Sequence, residues 1–313
     1  MSIPSVDLAD FLSDDPVRKN QFVHALGSAY EEVGFVAVKN HGISDQLIED
    51  LYKTVQQFFS LPLKHKRKYE IAGLAGQRGY TSFGKEHAKG SEAPDLKEFF
   101  QYGQVSEAPE ATSIYPRNVL VKELNDFNAI FDAAYRSFET SGTSLLQATS
   151  LYLNLDENYF DREVISGNSV LRAIHYPPII ETPKSAIRAE QHEDINLITL
   201  LIGASADGLE ILNKQNKWVA VTSLPNQIVV NVGDMLQRLT NNKLRSTTHR
   251  VVNPKKELWH TSRFSIPFFL HPKGSMSLQC LPGCVNEAQP RLYEDILAGA
   301  YLEERLVEIG LKK

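Results

Sequence analysis

His192 and Asp194 lie two residues apart at the start of a nearly unbroken apolar segment. Alternate side chains of an extended chain share one face, so a strand over residues 192–201 would place the imidazole beside the carboxylate. A third metal ligand has to come from a distant part of the sequence, and His249 is the best candidate. Two histidines and one carboxylate leave several positions of an octahedral metal open to other ligands. These three residues therefore predict a mononuclear metal site.

Each of these residues also has an ordinary structural explanation. A buried histidine is more often a hydrogen-bonded core residue than a ligand, and a His-x-Asp pair often occurs by chance. The positions of the three residues favour a metal site, because the pair begins one predicted strand and His249 lies in another strand of the same sheet region. A buried Asp194 without a cation would also carry a large desolvation cost.

A second group of residues could bind a carboxylate. Arg263 and Ser265 share one face of a predicted strand, so a guanidinium and a hydroxyl point the same way. If that face lines the interior of a barrel, the buried cation needs an anionic partner, and the carboxylate of a small organic acid suits it. Alternatively, the strand lies at an exposed edge and Arg263 is solvated. Arg172, Ile174 and Tyr176 share the face of another predicted strand, and Tyr176 would add a phenol to the carboxylate site.

The elements that would position these residues change in character along the chain. Helix, strand and helix are predicted over residues 14–62, and a long helix over residues 119–153. After residue 156, seven or eight short strands follow at roughly ten-residue spacing, which indicates an antiparallel sandwich or barrel of the jelly-roll kind. An amphipathic helix is predicted over residues 293–310. The predicted fold class is therefore α+β or mainly β, with a jelly-roll core, a helical N-terminal region and flanking helices.

Glycine, proline and aromatic residues are interleaved over residues 73–116. This pattern predicts an ordered loop region that covers another part of the protein. We expect residues 1–116 to form an N-terminal helix and strand region with substrate-side loops. Residues 117–313 are expected to hold the long helix, the catalytic jelly roll and the C-terminal helix, in one compact unit with the first region. Three aromatic residues are predicted walls of a substrate pocket, although packing under a loop explains each equally well: Tyr80, Phe83 and Phe100.

The composition limits the class of protein. The 313 residues, 42% of them hydrophobic, suffice for one large core or two modest cores. A net charge of −5 and a pI near 6.0 argue against a protein that acts mainly on nucleic acid or on an anionic membrane. The sequence has no run of about 18 apolar residues and no signal-peptide pattern, so we expect no membrane span and a cytoplasmic protein. Cys280 and Cys284 are expected to be reduced thiols.

Together these motifs resemble the isopenicillin N synthase-like family of Fe(II)- and 2-oxoglutarate-dependent dioxygenases. The resemblance is carried by His192-x-Asp194, by His249 fifty-five positions after Asp194, and by Arg263-x-Ser265 fourteen positions after His249. Further segments that are similar to family signatures are residues 33–36, 40–42, 94–100, 175–178 and 231–234. The likeness covers nearly the whole chain, and the combined motifs are highly specific.

The resemblance implies a double-stranded β-helix core with His192, Asp194 and His249 as ligands of Fe(II). It further implies a site for the distal carboxylate of the co-substrate 2-oxoglutarate, formed by Arg263, Ser265 and Tyr176. The implied activity uses O₂ to couple oxidative decarboxylation of 2-oxoglutarate to hydroxylation or desaturation of a small molecule. Many plant members carry asparagine at the position of Ile174, and Arg172 on the same face could reach that region instead.

Three alternatives remain open at this point. A member of the same family could dispense with 2-oxoglutarate and act as an oxidase or cyclase on a substrate carboxylate. A non-catalytic jelly-roll protein could hold a metal without turnover. A zinc hydrolase could also use two histidines and a carboxylate, but it needs a general base, and Glu193 should point away from the metal. The oligomeric state is open, and a monomer is compatible with the sequence.

Overall fold

The computed structural model describes residues 3–74, 76–86, 95–104, 115–183, 186–203, 207–222 and 226–308. Its helices are α1 (Leu8–Phe11), α2 (Pro16–Glu32), α3 (Asp45–Phe59), α4 (Leu63–Lys66), α5 (Phe127–Tyr152), α6 (Asp161–Val164), α7 (Asp234–Leu239) and α8 (Ala298–Glu308). Its strands are β1 (Ser5–Asp7), β2 (Phe35–Lys39), β3 (Gly79–Thr81), β4 (Glu98–Gly103), β5 (Val170–Tyr176), β6 (Ala189–His192), β7 (Ile198–Ile202), β8 (Leu209–Leu212), β9 (Trp218–Ala220), β10 (Gln227–Val232), β11 (His249–Val251) and β12 (Arg263–Leu270).

The strands form two sheets, and the chain passes repeatedly from one sheet to the other. The larger sheet has the order β1-β2-β10-β7-β12-β5-β4-β3, and the smaller one has the order β6-β11-β8-β9. From β5 onward, β5, β7, β10 and β12 lie in the larger sheet, and β6, β8, β9 and β11 lie in the smaller sheet. Antiparallel neighbours that alternate between two sheets in this way form a double-stranded β-helix. The predicted jelly-roll fold is therefore confirmed.

The N-terminal part of the chain extends the larger sheet at both edges. β1 and β2 continue it beyond β10, while β4 and β3 continue it beyond β5. Strands from residues 1–116 and from residues 117–313 thus share one sheet and one hydrophobic core. The prediction of loops throughout residues 73–116 missed β3 and β4. All six residues of β4 are buried, so the alternation of polar and apolar residues that marks a half-buried strand is absent there.

Long helices cover the outer face of the larger sheet. Phe138 of α5 stacks on Phe268 of β12 with ring centroids 5.4 Å apart. The helix begins at Phe127, later than the predicted residue 119, because the Asn128 carboxamide bonds both backbone groups of Val121 and holds that segment outside the helix. None of the helices in the described ranges is long and apolar enough to cross a membrane.

The strand predicted over residues 194–203 begins only at Ile198. β6 ends at His192, and residues 193–197 carry the chain from the smaller sheet to the larger one. Within this connection the Asn196 carboxamide donates to Thr199 Oγ1 at 2.8 Å. The second predicted strand, over residues 244–252, is also shorter and covers His249–Val251. In both segments, polar residues between the apolar positions form hydrogen bonds within loops and do not join the hydrogen-bond ladder of a sheet.

Candidate active site

The connection after β6 and the start of β11 bring the three predicted metal ligands together. In the β6–β11 pair, His249 lies directly opposite His192. His192 Nε2 is 3.8 Å from Asp194 Oδ1, and His249 Nε2 is 3.6 Å from the same oxygen. One donor atom from each residue lies within 4.8 Å of the other two. Asp194 lies two residues beyond the end of β6, in the irregular connection to β7, and is not part of a strand.

Hydrogen bonds orient all three side chains toward one point. Nδ1 of His192 lies 2.6 Å from the Glu190 carbonyl oxygen, and Nδ1 of His249 lies 3.1 Å from the carbonyl oxygen of residue 247. A carbonyl only accepts, so each Nδ1 carries the proton and each Nε2 presents a lone pair. Asp194 Oδ2 accepts hydrogen bonds from Asn231 and Thr199, which leaves Oδ1 facing the imidazoles. This donor set fits a divalent transition metal.

Electrostatics keep the ligands in the required protonation states. Burial and the neighbouring His249 lower the pKa of His192 to about 4, so its imidazole is neutral at physiological pH. Burial disfavours the charged form of Asp194, but the two imidazoles and the hydrogen bonds from Asn231 and Thr199 lower its pKa below the ordinary value. The site therefore offers a neutral His192 nitrogen and an anionic Asp194 oxygen to a metal.

A cavity of about 690 Å³ opens beside the three ligands, between the two sheets. Alternate residues of β5 and β12 line it, together with Asn168 just before β5 and His271 just after β12. The residues from β5 are Val170, Arg172, Ile174 and Tyr176, and those from β12 are Arg263, Ser265, Pro267 and Phe269. Arg263 lies opposite Tyr176, and Ser265 opposite Ile174. Thr199, which bonds Asp194, lies opposite Phe269. The metal ligands are therefore displaced along the cavity from the end that Arg263 occupies.

Arg263 is only 1% exposed, and its guanidinium lies 5.0 Å from the centre of the Tyr176 ring. A second guanidinium, from Arg188, lies 5.8 Å from the same ring centre. Burial and the proximity of Arg263 lower the pKa of Arg188 to about 10. No carboxylate in the described ranges lies at salt-bridge distance from Arg188. This end of the cavity is strongly positive and suits an anionic group. Arg188 was not predicted from the sequence, because it shares no strand with the other residues of this site.

A charged cluster lies on the wall nearer the metal ligands. Lys97 Nζ is 2.8 Å from carboxylate oxygens of both Glu86 and Asp95, and Arg172 Nη1 is 3.2 Å from Glu86. The Arg172 guanidinium also stacks 4.3 Å from the centre of the Phe99 ring. The structure thus places Arg172 and Ile174 among the residues that line the cavity. Glu86, Asp95 and Lys97 were not singled out, although Lys97 belongs to the segment 94–100 that resembles a family signature.

The structure does not place the predicted aromatic walls beside the cavity. Phe100 is fully buried on the opposite side of the sheet, with its ring centre 4.9 Å from Phe58. Tyr80, opposite Phe100 in the β3–β4 pair, packs against the same ring and donates a hydrogen bond to Glu98. Phe83 is 49% exposed. The expectation that these three residues line the pocket is corrected, because β4 directs its even-numbered side chains to the helices.

Comparisons with known proteins agree with this site. A model described as the N-terminal region of non-haem dioxygenases in morphine synthesis matches residues 3–123, and the model of the 2OG-Fe(II) oxygenase superfamily matches residues 167–272. The proline hydroxylase buaE of Petromyces alliaceus is 33% identical over 98% of this chain and 99% of its own length. A 2OG-Fe(II) oxygenase family protein from Caulobacter crescentus superposes with a TM-score of 0.87, 37% identity, and coverage of 98% of this chain and 99% of its own. A full-length Neurospora crassa protein, solved in complex with alpha-KG, gives a TM-score of 0.87 and 30% identity, over 97% of this chain and 95% of its own.

The chain belongs to the isopenicillin N synthase-like family of Fe(II)- and 2-oxoglutarate-dependent oxygenases, and the predicted family is confirmed. It is an enzyme that couples oxidative decarboxylation of 2-oxoglutarate to oxidation of a small molecule, with Fe(II), 2-oxoglutarate and O₂ as its cofactor and co-substrates.

Proposed function

We propose that His192, Asp194 and His249 are the three protein ligands of Fe(II). The observation that carries this proposal is the convergence of three donor atoms, one per residue, within 4.8 Å of one another. The remaining polar atoms of these side chains are already bonded to protein groups, so the converging atoms are the ones left for a metal. When bound, the iron activates O₂ and supplies the oxidising chemistry that no side chain can provide.

We infer that 2-oxoglutarate places its distal carboxylate between Arg263, Ser265 and Tyr176. The guanidinium and the hydroxyl lie at neighbouring positions on the same face of β12, and both are buried. A buried guanidinium forms strong charge-assisted hydrogen bonds to a carboxylate. Arg188 adds a second positive charge 5.8 Å from the centre of the Tyr176 ring. Fixing the far end of the keto acid in this way orients its other end toward the metal ligands.

An oxygenase is favoured over a hydrolase by the position of Glu193. Its side chain is exposed, and Thr248 Oγ1 donates to its carboxylate at 3.4 Å. An exposed carboxylate that is bonded to Thr248 is poorly placed to act as a general base on a metal-bound water.

The substrate is proposed to be a small molecule that is hydroxylated at a C–H bond. A cavity of about 690 Å³ has room for the co-substrate together with a compact second molecule. The similarity to a proline hydroxylase supports hydroxylation over desaturation. The two buried free thiols, Cys280 and Cys284, support a reducing compartment such as the cytoplasm. One chain contributes every residue of the site described above, so the proposed reaction does not require a residue from a second copy of the chain.

The proposal is tested by anaerobic titration of the metal-loaded protein with 2-oxoglutarate. Arg263→Met should weaken 2-oxoglutarate binding by about 1.5–3 kcal/mol, the range for a charge-assisted hydrogen bond. His249→Ala should abolish Fe(II)-dependent succinate formation while the protein remains folded. Arg136→Met, on the exposed face of α5, is the matched control. Unchanged 2-oxoglutarate affinity in Arg263→Met would place the co-substrate elsewhere.

A further inference from the structure

The end of the cavity furthest from Arg263 contains a buried cation that the proposed reaction does not use. Arg78 is 1% exposed, yet it lines the cavity together with Asn168 and His271. It donates from Nη1 to the Gln77 carbonyl at 2.7 Å and from Nη2 to Asn168 Oδ1 at 3.4 Å. Both partners are neutral, and within the described ranges no carboxylate forms a salt bridge with Arg78. Burial lowers the pKa of Arg78 to about 10, so the group stays charged at physiological pH.

The other charges on this wall already balance one another. Lys97 and Arg172 are two cations, and Glu86 and Asp95 are the two carboxylates that they contact. Among the residues that the structure describes, Arg78 therefore leaves one uncompensated positive charge in a low-dielectric site. Because an unpaired buried charge is strongly unfavourable, a ligand that brings one negative charge is expected to bind there.

The backbone provides space for this guanidinium on the cavity side of the sheet. Gly103 lies opposite Val170 in the β4–β5 pair, and directly opposed residues share a face, so Gly103 belongs to the face that lines the cavity. A Cβ at Gly103 would overlap the guanidinium of Arg78. The missing side chain at this position is therefore what lets Arg78 lie over the sheet.

Two buried polar atoms at this end have no hydrogen-bond partner in the described part of the protein. They are Arg78 Nε and His271 Nδ1. Burial lowers the pKa of His271 to about 3, so its ring is neutral and carries one N–H. Both residues line the cavity. A carboxylate there can accept from the guanidinium, and from His271 in the tautomer whose proton is on Nδ1.

We propose that Arg78, with His271 and Asn168, binds the carboxylate of the oxidised substrate, which makes the substrate class small organic acids, amino acids included. This inference rests on the proposed placement of 2-oxoglutarate at Arg263. The co-substrate occupies the Arg263 end, the metal ligands lie further along the cavity, and the Arg78 end remains for the substrate. An acid held there would extend its carbon skeleton back toward the metal ligands.

The test is calorimetric binding to the anaerobic Mn(II)-loaded protein with saturating 2-oxoglutarate, which blocks the Arg263 end. The probes are L-proline, benzoate and cyclopentanecarboxylate, each compared with its primary amide. We expect at least one acid to bind roughly tenfold or more tightly than its amide, the range of a charge-assisted hydrogen bond. Equal binding of acids and amides, or binding by none of the acids, would overturn the proposal.

Variants then assign the effect to Arg78. Arg78→Met and Gly103→Ala should each weaken binding of the acid roughly tenfold or more and leave the amide unchanged, since one removes the charge and the other displaces it. Gly283→Ala is the matched control, because a Cβ there meets nothing within 4 Å. The 2-oxoglutarate affinity of every variant is measured first. If a variant binds 2-oxoglutarate normally and its affinity for the acid is unchanged, only this inference is contradicted. If the wild-type protein does not bind 2-oxoglutarate, the proposed function itself is contradicted.

Arg78→Met could fail to fold, because its side chain is buried. Gly103→Ala then decides, since it keeps the arginine and perturbs only the end of a flexible side chain. If Gly103→Ala binds 2-oxoglutarate normally and still binds the acid as wild type does, Arg78 has a structural role only and the proposal is wrong.

Discussion

Asn231 Nδ2 donates a hydrogen bond to Asp194 Oδ2 at 2.8 Å. Thr199 donates to the same oxygen at 2.6 Å. Residues of two neighbouring strands, β10 and β7, thus both bond Oδ2. Only Oδ1 is left to face the two imidazoles. The larger sheet therefore orients the one anionic ligand, while the smaller sheet carries both histidines.

Removing these two hydrogen bonds should weaken metal binding. Asn231→Leu combined with Thr199→Val frees the Asp194 carboxylate to rotate, and metal affinity should fall roughly 10- to 100-fold, as for other residues that orient metal ligands. Competition with a chromogenic chelator measures the Mn(II) affinity. Thr143→Val, whose hydroxyl bonds only its own helix, is the control. An unchanged affinity in the double variant would show that the two bonds do not orient the ligand.

Arg188→Met should weaken 2-oxoglutarate binding less than Arg263→Met does. Arg188 is not among the residues that line the cavity, and its guanidinium lies 5.8 Å from the centre of the Tyr176 ring, so we expect it to act on the co-substrate through its field and not through a direct bond. The expected effect of Arg188→Met is therefore smaller than the loss of about 1.5–3 kcal/mol expected when a charge-assisted hydrogen bond is removed. Titration at two salt concentrations measures it. A loss as large as that of Arg263→Met would mean that Arg188 binds the carboxylate directly.

Glu86 should make folding stability depend on pH at the acidic end. Burial alone would raise its pKa, but Arg172 and Lys97 outweigh burial and lower it to about 2, from an ordinary value of 4.5. A carboxyl group with a lowered pKa stabilises the fold fully above pH 4.5, and this contribution disappears as the pH falls toward 2. The lowered pKa corresponds to about 3 kcal/mol.

Urea unfolding of wild type and Glu86→Gln between pH 3 and 7 measures this contribution. The stability difference should be largest and constant from pH 5 to 7 and should shrink below about pH 4.5. A difference that does not change with pH would mean that the ionised form of Glu86 is not what stabilises the fold.

Phe100 and Phe83 should respond differently to truncation, because one is a core residue and the other is exposed. Phe100→Ala removes a fully buried ring that packs on Phe58 and Phe127 and should cost about 3–5 kcal/mol of unfolding free energy. Phe83→Ala should change stability by less than about 0.5 kcal/mol. Neither should alter 2-oxoglutarate affinity in the folded protein. A similar cost for both variants would contradict the placement of β4.

The residues closest to the chemistry could be predicted from sequence because short, local spacings encode them. Arg263 and Ser265 share a face since β12 is a regular strand, and period two holds there. His192 and Asp194 do not share a strand, because β6 ends at His192 and Asp194 lies in the irregular connection that follows. Their proximity was predicted correctly, although the strand from which it was predicted begins only at Ile198.

The remainder of the site depends on long-range packing that local patterns do not record. Glu86, Lys97 and Arg78 come from a segment with no clear periodicity, and they meet only because β4 joins the edge of β5. Whether Phe100 faces the cavity or the helices depends on the register of β4, and a shift of one residue would exchange the two faces. Nothing within residues 73–116 specifies that register without the partner strand.

Anomalous diffraction at the iron edge, from crystals grown anaerobically with Fe(II) and 2-oxoglutarate, would show directly whether the three proposed ligands bind iron. We predict one strong peak within bonding distance of His192 Nε2, His249 Nε2 and Asp194 Oδ1, with 2-oxoglutarate extending from it to Arg263. An iron peak that any of these three atoms fails to contact, or a keto acid whose distal carboxylate lies away from Arg263, would contradict the account.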